Sequence, residues 1–178
     1  MNASIQDPTI YTIGHSNHTL EKFISLLKSN EIKFVVDIRS RPYSRYTSWF
    51  NKAAIKESLH DNEIRYIFLG DKLGGKPDDK RYYDAEGRVA YPLIAASTEF
   101  HDGIERLMKG CMGHRIALMC SEENPLNCHR FHLVSKTLEN IGINVIHLRG
   151  DGRLQSQATL TREHDEHTSK EQQLNLFH

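Results

Sequence analysis

Short apolar runs alternate along the chain with stretches of mixed polarity. Five runs have the make-up of buried strands: Thr9 to Ile13, Phe34-Val35-Val36, Tyr66-Ile67-Phe68-Leu69, Ile116-Ala117-Leu118-Met119 and Val145-Ile146-His147-Leu148. β-Branched and aromatic residues dominate them, and an unbroken apolar run such as Phe34-Val35-Val36 marks a strand covered on both faces. Between the runs the apolar positions take helical spacing. Leu20, Phe23, Ile24, Leu26 and Leu27 share one face behind Thr19, a capping residue. Ala54, Ile55 and Leu59 do so behind Asn51, a third helix covers about Ile94 to Met108 across Gly103, and a fourth follows Pro125 with Phe131 to Leu138 as its apolar pattern. Strands alternating with helices predict an α/β fold: a Rossmann-like three-layer sandwich with a mostly parallel sheet of about five strands and right-handed crossovers.

Two stretches fall outside this rhythm. Gly70 to about Pro92 is long and irregular, and such loops in a compact domain are functional or mobile. After about Gly152 the apolar pattern stops, and Leu154 to Gln172 is rich in Gln, Thr, Ser, Glu and His. The expected organisation is therefore a domain over 1–152 and a flexible, disordered C-terminal tail over 153–178.

Composition narrows the picture little. The 178 residues carry 23 Lys plus Arg against 23 Asp plus Glu, so only local charge can point to a partner. Three cysteines, the lack of a signal-peptide pattern and the lack of a long apolar run predict a reduced, cytoplasmic setting and no membrane span.

In parallel α/β sheets, sites gather at the carboxyl ends of the strands. Four clusters are expected there: Gly14-His15-Ser16, Asp37-Ile38-Arg39, Gly74-Gly75 and the turn Cys120 to Arg130. The last concentrates two thiols, two carboxylates, an imidazole and a guanidinium. Asn124 is a good N-cap and Pro125 a good first helical residue, so the opening N–H groups would favour an anion in the turn, with Arg130 beside it. His129, Arg130 and the helix end would lower a nearby thiol pKa, and Glu122 or Glu123 would serve as acid, base or metal ligand. The bland alternative is that Cys120 and Cys128 are small buried residues. Asp37, Cys120, Glu122, Cys128, His129 and Arg130 are the catalytic candidates, with the weight on Glu122, His129 and Arg130 rather than on the thiols. A metal is a further reading, with Cys120, Cys128, His129 and His15 as donors. Their spacing matches no familiar zinc pattern, so no metal and no cofactor is assigned.

Asp37 and Arg39 either orient a substrate or form an ion pair that closes the sheet. Ile38 to Lys56 holds Arg39, Arg41, Arg45, Lys52 and Lys56, no acidic residue, and Tyr43, Tyr46, Trp49 and Phe50 interleaved. Basic groups hold phosphates and aromatic faces stack on bases. His15, Ser16, Arg39, Arg41, Ser44, Arg45, Trp49, Asn51, Gly74 and Gly75 are accordingly the candidate nucleic-acid or phosphate contacts, against the alternative of a solvated loop with packing aromatics.

The elements Thr12-Ile13-Gly14-His15-Ser16, Asp37-Ile38-Arg39-Ser40 with Pro42 and Ser44, Phe50-Asn51, Leu73-Gly74-Gly75 and Cys120-x-Glu122-x-x-Pro125-x-x-Cys128-His129-Arg130 resemble the family called domain of unknown function 488, over roughly Thr9 to Leu148. The order strand, Cys, turn, helix with Arg is more loosely similar to rhodanese-like sulfurtransferases and cysteine phosphatases, although the interval from Cys120 to Arg130 is longer than their compact loop. Gln173-Leu174-Asn175-Leu176-Phe177 resembles the short peptide by which bacterial repair and replication proteins bind the DNA sliding clamp. In that likeness Leu174, Leu176 and Phe177 enter an apolar groove and Gln173 bonds at its edge.

Together these features predict a DNA repair or DNA-processing protein, leaning to an enzyme, with DNA and the sliding clamp as partners. Two alternatives stand beside it: cysteine-dependent sulfur or phosphoryl transfer on a small molecule, and a non-catalytic phosphate- or nucleotide-binding module.

Overall fold

A computed structural model describes residues 8–111 and 113–175, without the side chains of residues 111, 167 and 170–175. Along the chain run β1 (Thr9–Gly14), α1 (Leu20–Ser29), β2 (Phe34–Asp37), α2 (Lys52–Asp61), β3 (Arg65–Phe68), the single turn α3 (Gly70–Leu73), α4 (Tyr91–Ala95), α5 (Thr98–Cys111) and β4 (Ile116–Cys120). A π-helical stretch, Arg130–Ser135, then leads into α6 (Lys136–Asn140), followed by β5 (Asn144–Leu148), β6 (Leu154–Ser156) and α7 (Gln157–Asn175).

The strands form one sheet in the order β3-β2-β4-β1-β5-β6. Every pairing is parallel except β5 with β6, which is antiparallel. The five expected strands are all present, with the Rossmann-like α/β architecture that the apolar runs predict. Side-chain alternation divides the core. Val35, Ala117 and Met119 meet Phe23, Ile24 and Leu27 of α1 and Ile55 and Leu59 of α2. Val36, Ile116, Leu118 and Cys120 meet Phe100, Ile104 and Leu107 of α5 and Leu138 of α6. Both faces are thus covered, as parallel strands with unbroken apolar sequences require.

Three local expectations are corrected. The helix over about Ile94 to Met108 is two helices, α4 and α5, and α5 runs through Gly103 without a break. The helix at Pro125 is a 3-10 turn, Pro125–Asn127, capped by Asn124 Oδ1 on the Leu126 N–H at 3.1 Å; the true helix starts only at Arg130. Part of the stretch expected to be a flexible tail, 153–178, forms regular elements instead. Leu154–Ser156 pairs with β5, and Gln157 and Leu160 of α7 are buried against the domain. Edge strands need few apolar residues because backbone pairing fixes them, so Leu154-Gln155-Ser156 carries little sequence signal. Leu176 and Phe177 of the clamp-like peptide lie outside the described residues, as do the side chains of Gln173 and Leu174.

Candidate functional site

β2, β4 and β1 are adjacent, so Asp37, Cys120 and Gly14 end side by side at the carboxyl edge. The loop after β4 is threaded tightly over β1. His15 N–H donates to the Cys120 carbonyl at 2.9 Å and Ser16 N–H to the Ser121 carbonyl at 2.8 Å. A Cβ on Gly14 would lie 1.8 Å from the Glu122 carbonyl oxygen, so only glycine lets the turn pass. Gly75 is constrained in the same way: a Cβ there would fall 2.4 Å from the His129 ring. Gly74 packs on Ser40. The two glycines thus seat His129 and Ser40, and Gly75 also lines the cavity beside Cys120.

Cys120 ends β4 on the face shared with Cys128. Its Sγ donates to Glu122 Oε2 at 3.1 Å and lies 3.6 Å from His129 Nδ1. Cys128 Sγ lies 3.8 Å from the same nitrogen and accepts the Arg130 backbone N–H at 3.4 Å. His129 Nε2 faces the Ile38 carbonyl at 3.1 Å. That oxygen can only accept, so Nε2 carries a proton and Nδ1 is the atom turned to the sulfurs. The hydrogen bond with Cys128 and burial push the Cys120 thiol well above its ordinary pKa. Burial pushes Glu122 up, but hydrogen bonds from Cys120 and Cys128 outweigh it and hold the carboxyl below its usual range. Burial draws His129 down, but Cys120, Glu122 and the Ile38 carbonyl outweigh it and hold the imidazole above its usual value. A cavity of about 240 Å³ opens over this group, lined by Arg39, Ser40, Arg41, Gly75, Lys76, Cys120, Ser121, Glu122 and His129. A hollow of about 320 Å³ continues from its mouth, sharing Ser40, Arg41 and Lys76.

A family model matches residues 19–138. The chain belongs to the family described as Domain of unknown function DUF488. No curated protein and no solved structure matches it. In this DUF488 chain the turn Cys120 to Arg130, the glycine pair and the Asp37 to Ser40 segment meet at one place.

They do not share one role. Asp37 is fully buried and accepts from Arg39 N, Nε and Nη2 at 3.1, 2.9 and 2.7 Å and from Tyr66 Oη at 2.8 Å. Arg39 also reaches the Phe50 carbonyl at 2.9 Å and His15 Nε2 at 3.0 Å. The pair is saturated by protein and closes the sheet. Burial and Asp37 push the Tyr66 phenol well up, so it remains a donor. His15 donates Nδ1–H to the Ser16 carbonyl and stacks on Phe50; burial and the Arg39 charge lower its pKa to about 4, and it faces Arg39 rather than the thiols.

Arg130 is fully buried, and its guanidinium holds the carbonyls of Glu122 and Glu123. It shapes the turn from below and does not line the cavity. Glu123 is bound by Arg149 and the Gly150 N–H, and the Arg149 hydrogen bond lowers its pKa to about 2. Of the two carboxylates, Glu122 is the one left to the site.

The basic loop also divides. Ser44 Oγ accepts from Tyr46 N–H and Thr47 N–H, and Asn51 Oδ1 accepts from Ser44 N–H, so both fasten the loop itself. Trp49 Nε1 donates to the His18 carbonyl. Tyr43 and Tyr46 are 73% and 83% exposed, and Arg45 lies over the Tyr46 ring. Arg41 at the cavity mouth pairs with exposed Asp78. Lys76, Ser40 and Ser121 line the cavity without having been singled out as contacts from sequence; the adjacency of Lys76 to Gly74-Gly75 was the available signal.

Proposed function

We propose that the protein is a DNA-processing enzyme that lays a strand along the basic loop and admits a phosphate or nucleotide to the cavity over Cys120, Glu122 and His129. One observation carries the reading: the loop that supplies Arg41 to the cavity mouth holds Tyr43 and Tyr46 almost entirely in solvent, with Arg45 beside them. Large aromatic side chains kept exposed next to a cationic rim are what stacking on bases requires. The Arg41–Asp78 pair is exposed and so worth little, which leaves the guanidinium free to move to a phosphate. The clamp tether is part of the same reading and is supported by the sequence of Gln173 to Phe177 alone.

Labelled single-stranded DNA followed by fluorescence anisotropy tests it. Binding should weaken steeply with salt, and the double change Tyr43→Ala with Tyr46→Ala should cost about 1–3 kcal/mol per stacked base. Absence of binding at low salt overturns the reading. A pull-down with the sliding clamp, comparing the full chain with one lacking Gln173 to Phe177, tests the tether.

The contacts among Cys120, His129 and Glu122 favour a second reading, cysteine-dependent transfer on a small anion. Against it, the hydrogen bond with Cys128 and burial push the Cys120 thiol pKa up, away from the lowered value of reactive cysteines. Slow alkylation of the metal-free protein at neutral pH would remove that reading.

A further inference from the structure

Cys120 Sγ, Cys128 Sγ and His129 Nδ1 come from two ends of one turn and converge at a buried point beneath the cavity. All three donor atoms lie within 4.8 Å of one another. The Nδ1 to Sγ separations are 3.6 and 3.8 Å. Tetrahedral zinc with bonds of about 2.3 Å to sulfur and about 2.0 Å to nitrogen sets its S and N ligands about 3.6 Å apart. Hydrogen bonding serves only one of the two contacts at a time, because Nδ1 offers a single lone pair or a single N–H while both sulfurs stand within reach of it. A neutral imidazole with Nε2 protonated has one lone pair at Nδ1, and two sulfurs stand at nearly equal distance from it.

The surroundings are those that tune metal ligands. Metal-bound imidazoles typically donate their second ring N–H to a carbonyl or carboxylate, as His129 does to Ile38. Cys128 Sγ receives a backbone N–H from Arg130, a contact that stabilises a thiolate. The buried Arg130 guanidinium lies behind the same turn and adds positive charge that a bare cation would not favour but two thiolates offset.

We propose that Cys120, Cys128 and His129 form a three-ligand site for a zinc-class divalent cation, with the fourth position facing the cavity. Three protein ligands with one open position is the arrangement of catalytic rather than structural zinc. Glu122 stands beside this cluster, hydrogen-bonded to Cys120, and is the group placed to exchange a proton with a water in the open position. The site is independent of what the cavity admits, so DNA binding and metal binding can fail separately.

The test uses full-length protein stripped by a chelator and titrated with Co(II), then with Zn(II). One equivalent of Co(II) should give a thiolate-to-metal charge-transfer band with strong tetrahedral visible bands, and Zn(II) should displace it. Cys120→Ser, Cys128→Ser and His129→Ala should each abolish or strongly weaken the band, whereas Glu122→Gln and Cys111→Ser should keep it. Should a ligand variant fail to fold, X-ray absorption at the metal edge of the Zn(II)-loaded wild-type protein decides: the ion should show two sulfur and two nitrogen or oxygen neighbours. Absence of a charge-transfer band in the wild type, a band that persists in folded Cys128→Ser protein, or a bound Zn(II) with no sulfur neighbours overturns the proposal.

Discussion

At the end of β2, Asp37 takes four hydrogen bonds, three from Arg39 and one from Tyr66, and the remaining Arg39 donors go to Phe50 and His15. At the end of β4, one strand over, Cys120, Glu122, Cys128 and His129 approach one another at 3.1 to 3.8 Å and open onto a cavity. Both ends hold reactive side chains at the carboxyl edge of the same sheet. The first binds the Asp37 carboxylate on all sides and spends four of the five Arg39 donors on protein. The second gathers three metal-class donor atoms within 4.8 Å of one another beside a cavity. Reactive residue types at a strand end therefore do not by themselves mark a site; unspent bonding capacity beside accessible space does.

The largest expected effect falls on the saturated end. Arg39→Met leaves the Asp37 carboxylate buried and unpaired and should cost about 3–5 kcal/mol in urea unfolding. A loss below about 1 kcal/mol would mean that the pair is not structural. Next comes the seam between the two ends. Gly14→Ala drives a methyl into the Glu122 carbonyl, backbone that Arg130 holds, and should cost about 1–3 kcal/mol. It should also shift the turn that joins Cys120 to Cys128 and His129 and so lower Co(II) affinity, which a stability effect alone would not do.

A third expectation concerns a saturated buried group on the other side of β1. His147 bonds Thr12 Oγ1 and Gln157 Oε1, each at 2.7 Å, and burial lowers its pKa from 6.5 to about 4. Because the folded-state value is the lower one, this contribution is whole above pH 6.5 and is lost as pH falls towards 4. Between pH 7 and 5 it should amount to about 2 kcal/mol, read as the difference in pH slope between the wild type and His147→Gln. Equal slopes would show that the imidazole is not held neutral. The smallest effect is expected at the open end, where Glu122 is exposed and forms no ion pair with Lys or Arg among the described residues, so Glu122→Gln should change stability by less than about 1 kcal/mol.

These contrasts explain how far the amino-acid pattern reaches. The five parallel strands are legible because their apolar runs are continuous, and the neighbourhood of the site follows from where those strands end. β6 is not legible, since Leu154-Gln155-Ser156 joins the sheet through backbone bonds, and α7 docks through Gln157 and Leu160, with little apolar periodicity to announce it. Within the site, Cys120 to Arg130 stands out by chemistry, but the roles inside it depend on partners far away in sequence. Arg130 is spent on the carbonyls of its own turn, Glu123 on Arg149, and Asp37 on Arg39 and Tyr66. Ser44 and Asn51 are spent on each other's loop. The glycine pair illustrates the same limit: spacing marks Gly74-Gly75 as unusual, and only packing shows that His129 and Ser40 require it.

The division between a sealed end and an open end is tested most directly by urea unfolding of Arg39→Met and Glu122→Gln side by side with the wild type. The account predicts a loss of about 3–5 kcal/mol for the first and less than about 1 kcal/mol for the second. Equal losses, or a larger loss for Glu122→Gln, would contradict it.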